Sequence, residues 1–411
     1  MKPLIMILSS LAILLPASGR EWTDAETGRK VEAEYVSSDG EQVKIQRQSD
    51  GKSFSLSLAK LSEADRSYVS QRMADKTENE LDPGSDSDVD TSSSRRSREA
   101  DATKFTSYTA DWPSQVKVAA QVDVQVVSED DTEKKYVYRS AHYEYICDVQ
   151  LSQSVVGSFA RLFEATYEYV KLLPLGMRKP HLEGEHFKIL LFEHHGTYVS
   201  NGAPPESAGV YMSRGDLIMV PLTSLGVKKV GSRYMRDRDH SNKTLPHEIA
   251  HQLTDRKYYS EGARGWFTEG LAEYVGVTPF RSGIYSTKQQ ISAVKDYVTA
   301  YGRDKNGGRA LGDEIRMAAV QDFMLMPYSS FTADANRNYG CGLLLTYYFF
   351  HMDGDGERVA LNHFLKALQD GKKGQEAIDA LLMGRTYEQL QEQIAKAWKS
   401  RGVKIHFDGA R

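Results

Sequence analysis

The sequence predicts an α+β protein in which a small all-β unit precedes a larger mixed domain. Residues 30–58 alternate between apolar and polar side chains, the pattern of half-buried strands. Residues 155–170, and several segments within 343–398, instead carry apolar side chains three and four positions apart, which is typical of amphipathic helices.

Residues 1–19 have the composition of a secretory signal peptide. Lys2 gives a positive start, residues 4–15 form an apolar run, and residues 17–19 are small enough for cleavage. The apolar run is shorter than the roughly 18 residues that a membrane-spanning helix needs, and no other stretch approaches that length. We therefore predict a cleaved signal peptide, a secreted or periplasmic mature protein, and no membrane span.

Residues 20–75 are predicted to form the small β unit. The alternating segments within residues 30–58 are separated by Asp-Gly pairs at 39–40 and 50–51. Asp-Gly suits hairpin turns because it tolerates positive φ. A short terminal helix, with Ser62 as its cap, is expected to follow.

The motifs of this unit point to a known small domain. They are Trp22-Thr23-Asp24, Ala33, the Asp-Gly turns and Leu58-x-x-Leu61-Ser62-x-x-Asp65. Together they resemble the homology domain of yeast endocytic adaptors, a small barrel of the Src-homology-three type that binds short peptides. The resemblance implies a small all-β barrel and the binding of a peptide or an envelope ligand.

Residues 76–104 consist mainly of Asp, Glu, Ser, Arg and Lys, with hardly any large apolar side chain. Such a segment cannot bury enough apolar surface to offset the entropy lost on ordering, so we predict a disordered linker. Residues 105–411, which follow it, are enough for one large domain with its own core.

The large domain is predicted to begin with strands and to end with helices. Residues 136–149 and 187–192 are expected strands, with a long helix over 155–170 between them. Residues 208–220 are expected to form a hairpin that turns at 213–215. Further helices are expected at 343–350, 359–368, 376–382 and 387–398.

A His-Glu-x-x-His motif lies at residues 247–251 of this domain. His247 and His251 are four positions apart, so on a helix both imidazoles face one side and can bind one cation. Glu248 lies beside them and can take a proton from a bound water. A catalytic zinc ion needs a third protein ligand, and Glu269 on a following helix is the candidate. Glu273, one turn further on, can accept the outward N–H of a ligand histidine. The alternative is a surface helix with two solvated histidines, but the apolar residues between them indicate a buried face.

The motif His247-Glu248-x-x-His251, followed by Glu269-Gly-Leu-Ala-Glu273, resembles that of the gluzincins. This superfamily of zinc peptidases includes thermolysin and the zinc aminopeptidases. The resemblance implies a mixed-sheet part and a helical part that meet at a zinc cleft. It implies His247, His251 and Glu269 as Zn2+ ligands and Glu248 as general base and proton shuttle. Glu273 matches in charge the acidic residue that buttresses a ligand histidine in thermolysin-like members.

The segment from Tyr339 to Gly342 has the pattern Y-x-x-G. It is similar to a segment that opens a helix in zinc aminopeptidases, where the tyrosine hydroxyl stabilises the tetrahedral oxyanion. The resemblance implies a catalytic role for Tyr339. The alternative is that Tyr339 packs at the start of a helix.

Gly209, Val210, Tyr211 and Met212 form the first strand of the predicted hairpin. In gluzincins such a strand lies at the sheet edge above the zinc, and an extended substrate adds to it through main-chain hydrogen bonds. The resemblance implies that role here, and ordinary sheet core is the alternative. The G-x-M-E-N segment that anchors the free amine of aminopeptidase substrates is absent, which favours an endopeptidase, although Glu206 could substitute for its acidic residue.

The sequence therefore predicts a secreted or periplasmic zinc metallopeptidase that hydrolyses a peptide or protein substrate. The alternatives are a cell-envelope binding or scaffold protein with a non-catalytic zinc domain, and a hydrolase of a non-peptide envelope amide. The formal net charge of -4 argues against nucleic acid as a partner. Two cysteines, Cys147 and Cys341, are permitted to pair in an oxidising compartment, and the sequence leaves that pairing open.

Overall fold

The computed structural model describes residues 20–25, 29–38, 42–47, 52–62, 65–66, 69, 108–119, 121–178, 185–237, 243–299 and 308–409. Contacts divide the chain into an amino-terminal unit and a larger carboxy-terminal unit. The predicted signal peptide (1–19) and linker (76–104) lie outside the described residues, and so do both Asp-Gly turns.

The amino-terminal unit is a four-stranded antiparallel sheet. Its strands, in the order β1-β2-β3-β4, are β1 (Arg20–Thr23), β2 (Lys30–Ser38), β3 (Gln42–Arg47) and β4 (Ser53–Ser57). In β3 the buried Val43 and Ile45 alternate with exposed neighbours, as predicted for residues 30–58. The small core comprises Trp22, Ala33, Val43, Ile45, Leu61 and Val69.

The closed barrel that the resemblance implies is not found among the described residues of this unit. A 3₁₀ turn (Leu58–Lys60) ends β4, and the chain then returns to β1 through one isolated bridge between Asp24 and Leu61. The sheet is therefore open along most of its outer strands. Ser62 occupies the predicted cap position, where its Oγ accepts the backbone N–H of Asp65 at 3.2 Å.

The carboxy-terminal unit is built on a six-stranded sheet in the order β10-β11-β9-β8-β7-β6. β9 runs parallel to β8 and β11, and the other neighbours are antiparallel. β10 and β6 form its two edges. The strands of this unit are β5 (Gln115–Lys117), β6 (Gln125–Asp130), β7 (Lys135–Arg139), β8 (Tyr143–Cys147), β9 (Phe187–Phe192), β10 (Val210–Met212), β11 (Leu217–Pro221), β12 (Val227–Val230), β13 (Arg233–Arg236), β14 (Phe280–Arg281), β15 (Ile284–Ser286), β16 (Glu314–Met317) and β17 (Lys404–Phe407).

The rest of the unit is mainly helical, so the α+β class is confirmed. The helices predicted at 155–170, 359–368, 376–382 and 387–398 are present, with boundaries that differ by at most two residues, and the helix predicted at 343–350 begins eight residues earlier, at Ala335. The helices are α1 (Gln153–Lys171), α2 (His195–Ser200), α3 (Thr244–Leu253), α4 (Trp266–Val277), α5 (Gln290–Thr299), α6 (Val320–Met324), α7 (Tyr328–Ala333), α8 (Ala335–His351), α9 (Val359–Gln369), α10 (Gly374–Leu382) and α11 (Tyr387–Lys399).

The single strand predicted at residues 136–149 is wrong, because β7 and β8 form a hairpin there. The turn is held by Glu164 of α1, whose carboxylate accepts the Ser140 hydroxyl at 2.6 Å and the His142 backbone N–H at 2.9 Å. The hairpin predicted at 208–220 is confirmed as β10 and β11.

One hydrophobic core joins the sheet to the helices that carry the site. Residues of α1, β8, β9, α3, α4 and α8 all contribute to it. None of the helices in the described part of the chain is long and apolar enough to cross a membrane.

Candidate metal centre

The site is built on α3, whose two faces differ. Leu245, Ile249, Ala250 and Leu253 are buried on one face. Pro246 is tolerated because it stands in the first turn, where backbone N–H groups have no partner within the helix. The side chains of His247 and His251 are 14% and 11% exposed on another face.

Three donor atoms converge between α3 and α4. The Nε2 atoms of His247 and His251 lie 3.0 Å apart. Glu269 Oε2 lies 3.2 Å from His251 Nε2 and 3.5 Å from His247 Nε2. Ligand atoms about 2.0–2.2 Å from a tetrahedral ion lie about 3.3–3.6 Å apart, so this triangle has nearly the required size. Within the described ranges this is the only group of three or more such donors that could hold a metal ion, and it is the predicted set.

The outward nitrogens of both histidines have partners. His247 Nδ1 lies 3.1 Å from Glu273 Oε1, the contact that the spacing of Glu273 predicts. His251 Nδ1 lies 3.3 Å from the Tyr259 hydroxyl, which itself donates to the His251 carbonyl oxygen at 3.1 Å. Because that hydroxyl uses its proton on the carbonyl, it accepts from His251 Nδ1–H. Both rings are thus set to carry hydrogen on Nδ1 and a lone pair on Nε2.

These tautomers provide a test of whether a cation fits. Two Nε2 lone pairs that face each other at 3.0 Å repel unless a positive group lies between them. Burial opposes charge on His247, yet Glu269 and Glu273 raise its pKa, so the surroundings favour positive charge at this point. A metal ion bound by His247, His251 and Glu269 satisfies both conditions.

Glu269 is held on its other oxygen. Tyr328, the first residue of α7, donates its hydroxyl to Glu269 Oε1 at 2.8 Å, while Oε2 faces the histidines. Burial opposes its charge, but His251 and His247 lower the pKa of Glu269, so it stays ionised. Sequence reasoning identified neither Tyr328 nor Tyr259, and no motif surrounds either residue.

Glu273 is also fixed from behind, by a residue that sequence reasoning missed. Arg309 donates to Glu273 through two atoms, with Nη2 2.7 Å from Oε1 and Nε 3.4 Å from Oε2. Burial opposes the charge on Glu273, whereas His247 and Arg309 together lower its pKa to about 2. Glu273 is therefore a buried carboxylate between two positively polarised partners.

Glu248 faces the edge of the six-stranded sheet. Its Oε2 accepts the backbone N–H of Tyr211 in β10 at 2.7 Å. Burial raises the pKa of Glu248. Gly209 also lies here, because a Cβ added to it would stand 3.8 Å from the Glu248 Cγ. The predicted base and the predicted edge strand are thus in direct contact.

Tyr339, in the first turns of α8, lies beside the donors. Its ring is nearly parallel to that of His247, with centroids 6.2 Å apart, and the Arg309 Cζ lies 4.9 Å from its centroid. Burial and the negative charge of Glu269 raise the pKa of Tyr339, against a hydrogen bond with Tyr328. Its hydroxyl therefore keeps its proton and can donate.

A close crossing of α4 and α8 brings Tyr339 to this position. A Cβ added to Gly270 would meet Thr346 Oγ1 at 2.1 Å and Gly342 O at 2.4 Å. A Cβ added to Gly342 would lie 3.1 Å from Trp266 O. The glycine of the Y-x-x-G pattern thus has a packing reason, since it lets α8 approach the helix that carries Glu269.

Other residues noted in the sequence lie away from the donor group or take no part in it. Glu206 is exposed, and His194 directly precedes the short α2 with its side chain 75% exposed. Cys147 and Cys341 are both free and buried. Burial raises the pKa of each thiol to about 12, so neither is a reactive thiolate at neutral pH.

No protein-family model matches this chain, and a search of curated proteins finds no similar sequence. The assignment of the site therefore depends on its own geometry and electrostatics. These define a buried two-histidine, one-carboxylate group that can bind a metal ion, with Glu248 and Tyr339 beside it.

Proposed function

We propose that this protein is a zinc-dependent peptidase with a gluzincin-type site, acting as a secreted or periplasmic endopeptidase. The observation that carries the proposal is the position of Glu248. It lies next to His247 and His251 and is held by the Tyr211 N–H of an edge strand. A structural metal site has no use for such a carboxylate, whereas hydrolysis needs one.

The donor set favours zinc among biological metals. Two imidazoles and one carboxylate form a common ligand set of catalytic zinc sites, which keep a fourth position open. His247, His251 and Glu269 would hold the ion. When bound, zinc polarises a substrate carbonyl and lowers the pKa of water to about 7.

Glu248 supplies the proton transfers in this proposal. The Tyr211 N–H fixes its Oε2, so Oε1 is the oxygen that we assign to the attacking water. Burial raises the pKa of Glu248, which helps it to hold the proton that it takes from water and then returns to the leaving amine.

Tyr339 is proposed as the donor that stabilises the oxyanion. Its raised pKa keeps the hydroxyl protonated, and its ring lies against that of His247. Removing one such donor costs roughly 3–4 kcal/mol of transition-state stabilisation. The alternative is that Tyr339 only packs between His247 and Phe331, whose ring centroid is 5.7 Å away.

β10 offers a way to bind an extended peptide. The N–H and C=O of one strand residue point to the same side, and the Tyr211 N–H points away from β11 towards Glu248. The Tyr211 carbonyl therefore also faces the open edge, where it can accept a substrate N–H. Such main-chain recognition favours peptides over a non-peptide envelope amide.

The test combines metal content with hydrolysis. Purified wild type is compared with His251→Ala, Glu269→Ala and Glu248→Gln for bound zinc and for cleavage of a quenched fluorescent peptide library. His194→Ala, an exposed histidine outside the site, is the matched control. We expect about one zinc per chain in wild type and in Glu248→Gln, and its loss in the two ligand variants.

Hydrolysis should be lost in Glu248→Gln although zinc is retained. Zinc retained by Glu269→Ala would show that the third ligand is wrong. If wild type binds no zinc, or if no form cleaves the peptides, the results would instead favour an envelope binding protein with a non-catalytic metal domain.

A further inference from the structure

Arg309 lies on a segment that is fixed to two helices. Its backbone N–H donates to Tyr297 O of α5 at 2.7 Å, and the Leu311 N–H donates to Val298 O at 2.7 Å. The Asn336 amide of α8 donates to the Arg309 carbonyl at 2.9 Å. The backbone from which the Arg309 side chain extends is therefore held in place by hydrogen bonds that do not involve the metal site.

The guanidinium is held on its edge and on its face. Its edge makes the two-atom contact with Glu273, whose side chain is only 4% exposed. Its face lies over Tyr339, with Cζ 4.9 Å from the ring centroid, and over Tyr297 at 5.8 Å. A planar fork can make all these contacts at once, and a lysine ammonium cannot.

We infer that Arg309 is a positioning residue for the metal site, acting through Glu273 on His247. Glu273 Oε1 accepts from both Arg309 Nη2 and His247 Nδ1, so the guanidinium fixes the oxygen that orients the imidazole. Without Arg309, the Glu273 carboxylate keeps one strong partner and can turn with His247. The inference rests on the proposed metal site and adds a residue that its motif does not contain.

The experiment is a double-mutant cycle on Zn2+ affinity, measured by competition with a chromogenic chelator. It compares wild type, Arg309→Met, Glu273→Gln and the double variant. Loss of a hydrogen-bonded partner behind a metal ligand typically weakens binding by about 10–100-fold, and we expect Arg309→Met to fall in that range. In the Glu273→Gln background the same change should have much less effect, because the neutral amide no longer makes the charged contact through which the guanidinium acts on His247.

Arg309→Lys tests geometry against charge. Lysine keeps the positive charge but contacts one carboxylate oxygen, so we expect partial recovery of affinity relative to Arg309→Met. The Co2+-loaded forms supply a second readout, because the visible spectrum of the ion reports its ligand geometry. Arg337→Met, on α8 with its side chain 57% exposed, is the matched control and should bind Zn2+ as wild type does.

Urea unfolding of each metal-free variant separates a local effect from loss of the fold. If Arg309→Met does not fold, Arg309→Lys takes its place in the cycle. Wild-type affinity in Arg309→Met, or an equal loss in both backgrounds, would overturn the inference while leaving the peptidase proposal intact. Wild type that binds no Zn2+ would overturn both.

Discussion

Gly270→Ala should separate the two helices on which the site depends. A Cβ at this position would stand 2.4 Å from Gly342 O, a backbone atom of α8, whereas an ordinary contact begins near 3.4 Å. This overlap of about 1 Å cannot be relieved by rotating a side chain, because the Gly342 atom that the Cβ would meet belongs to the backbone. We therefore expect α4 and α8 to move apart.

The expected magnitude follows from two opposing effects. Overpacking of a core costs about 1–3 kcal/mol, and alanine in place of glycine inside a helix returns up to about 1 kcal/mol. The Thr346 Oγ1 contact at 2.1 Å adds to the strain. We expect a net loss of about 1–2 kcal/mol in the free energy of unfolding.

Urea denaturation of the metal-free protein measures this loss, and Zn2+ affinity reports which helix moves. If α4 moves, Glu269 leaves the histidines and affinity falls. If α8 moves, affinity is kept and the contact of Tyr339 with His247 changes. Gly196→Ala is the control, because a Cβ there meets nothing within 4 Å. A Gly270→Ala variant as stable as wild type would refute the packing argument.

Three further results are expected. Tyr328→Phe removes the donor to Glu269 Oε1 and should weaken Zn2+ binding by about 10-fold in chelator competition, with little change in fold; unchanged affinity would contradict this role. Tyr339→Phe should lower kcat by about 100-fold or more while Zn2+ content stays the same, if its hydroxyl stabilises the oxyanion; unchanged kcat would leave only a packing role. Burial, with a smaller effect of Arg358, lowers the pKa of His351 to about 4. Its folded pKa lies below the unfolded value near 6.5, so between these values the unfolded chain binds more protons. The stabilising contribution is complete above about pH 6.5 and is lost as pH falls towards 4, by about 3 kcal/mol in all. In urea titrations, the free energy of unfolding should therefore decrease less between pH 7 and pH 4.5 for His351→Gln than for wild type.

The donor trio was predictable because its determinants are local. Two histidines one helical turn apart face the same side on any helix, and the carboxylate helix follows after a short turn. Glu269 and Glu273 share one face of α4 for the same reason. The strand at 187–192 and the helix at 155–170 were equally predictable from the sequence. In each, the spacing of the apolar residues matches the face that the element buries.

The residues that hold the donors were not predictable from local pattern. Tyr328 is 59 residues from Glu269 in the sequence, Arg309 is 36 residues from Glu273, and the chain has 23 tyrosines. Tyr259 lies nearer its partner, but its role depends on how the 3₁₀ turn after α3 returns its hydroxyl to the helix end. Only the fold selects among so many equivalent side chains.

The wrongly predicted strand at 136–149 has the same explanation. Its turn, at residues 140–142, contains no glycine, proline, asparagine or aspartate, and Ser140 alone is a weak turn signal. The turn forms because Glu164 of α1 accepts hydrogen bonds from Ser140 and His142. A tertiary contact here replaces the local signal.

The arrangement as a whole argues for a site that is formed before metal binds. Glu273 orients one histidine, Tyr259 orients the other, and Tyr328 fixes the carboxylate, each from a different part of the chain. Because these bonds involve only the outward atoms of the ligands, the inward atoms are left to face one another. Metal binding then needs little rearrangement, and its free energy adds to the stability of the fold through mass action. Glu248 is fixed separately, by the Tyr211 N–H of the edge strand. Under the proposed function, a peptide added to β10 would therefore be positioned relative to Glu248 through a single backbone residue.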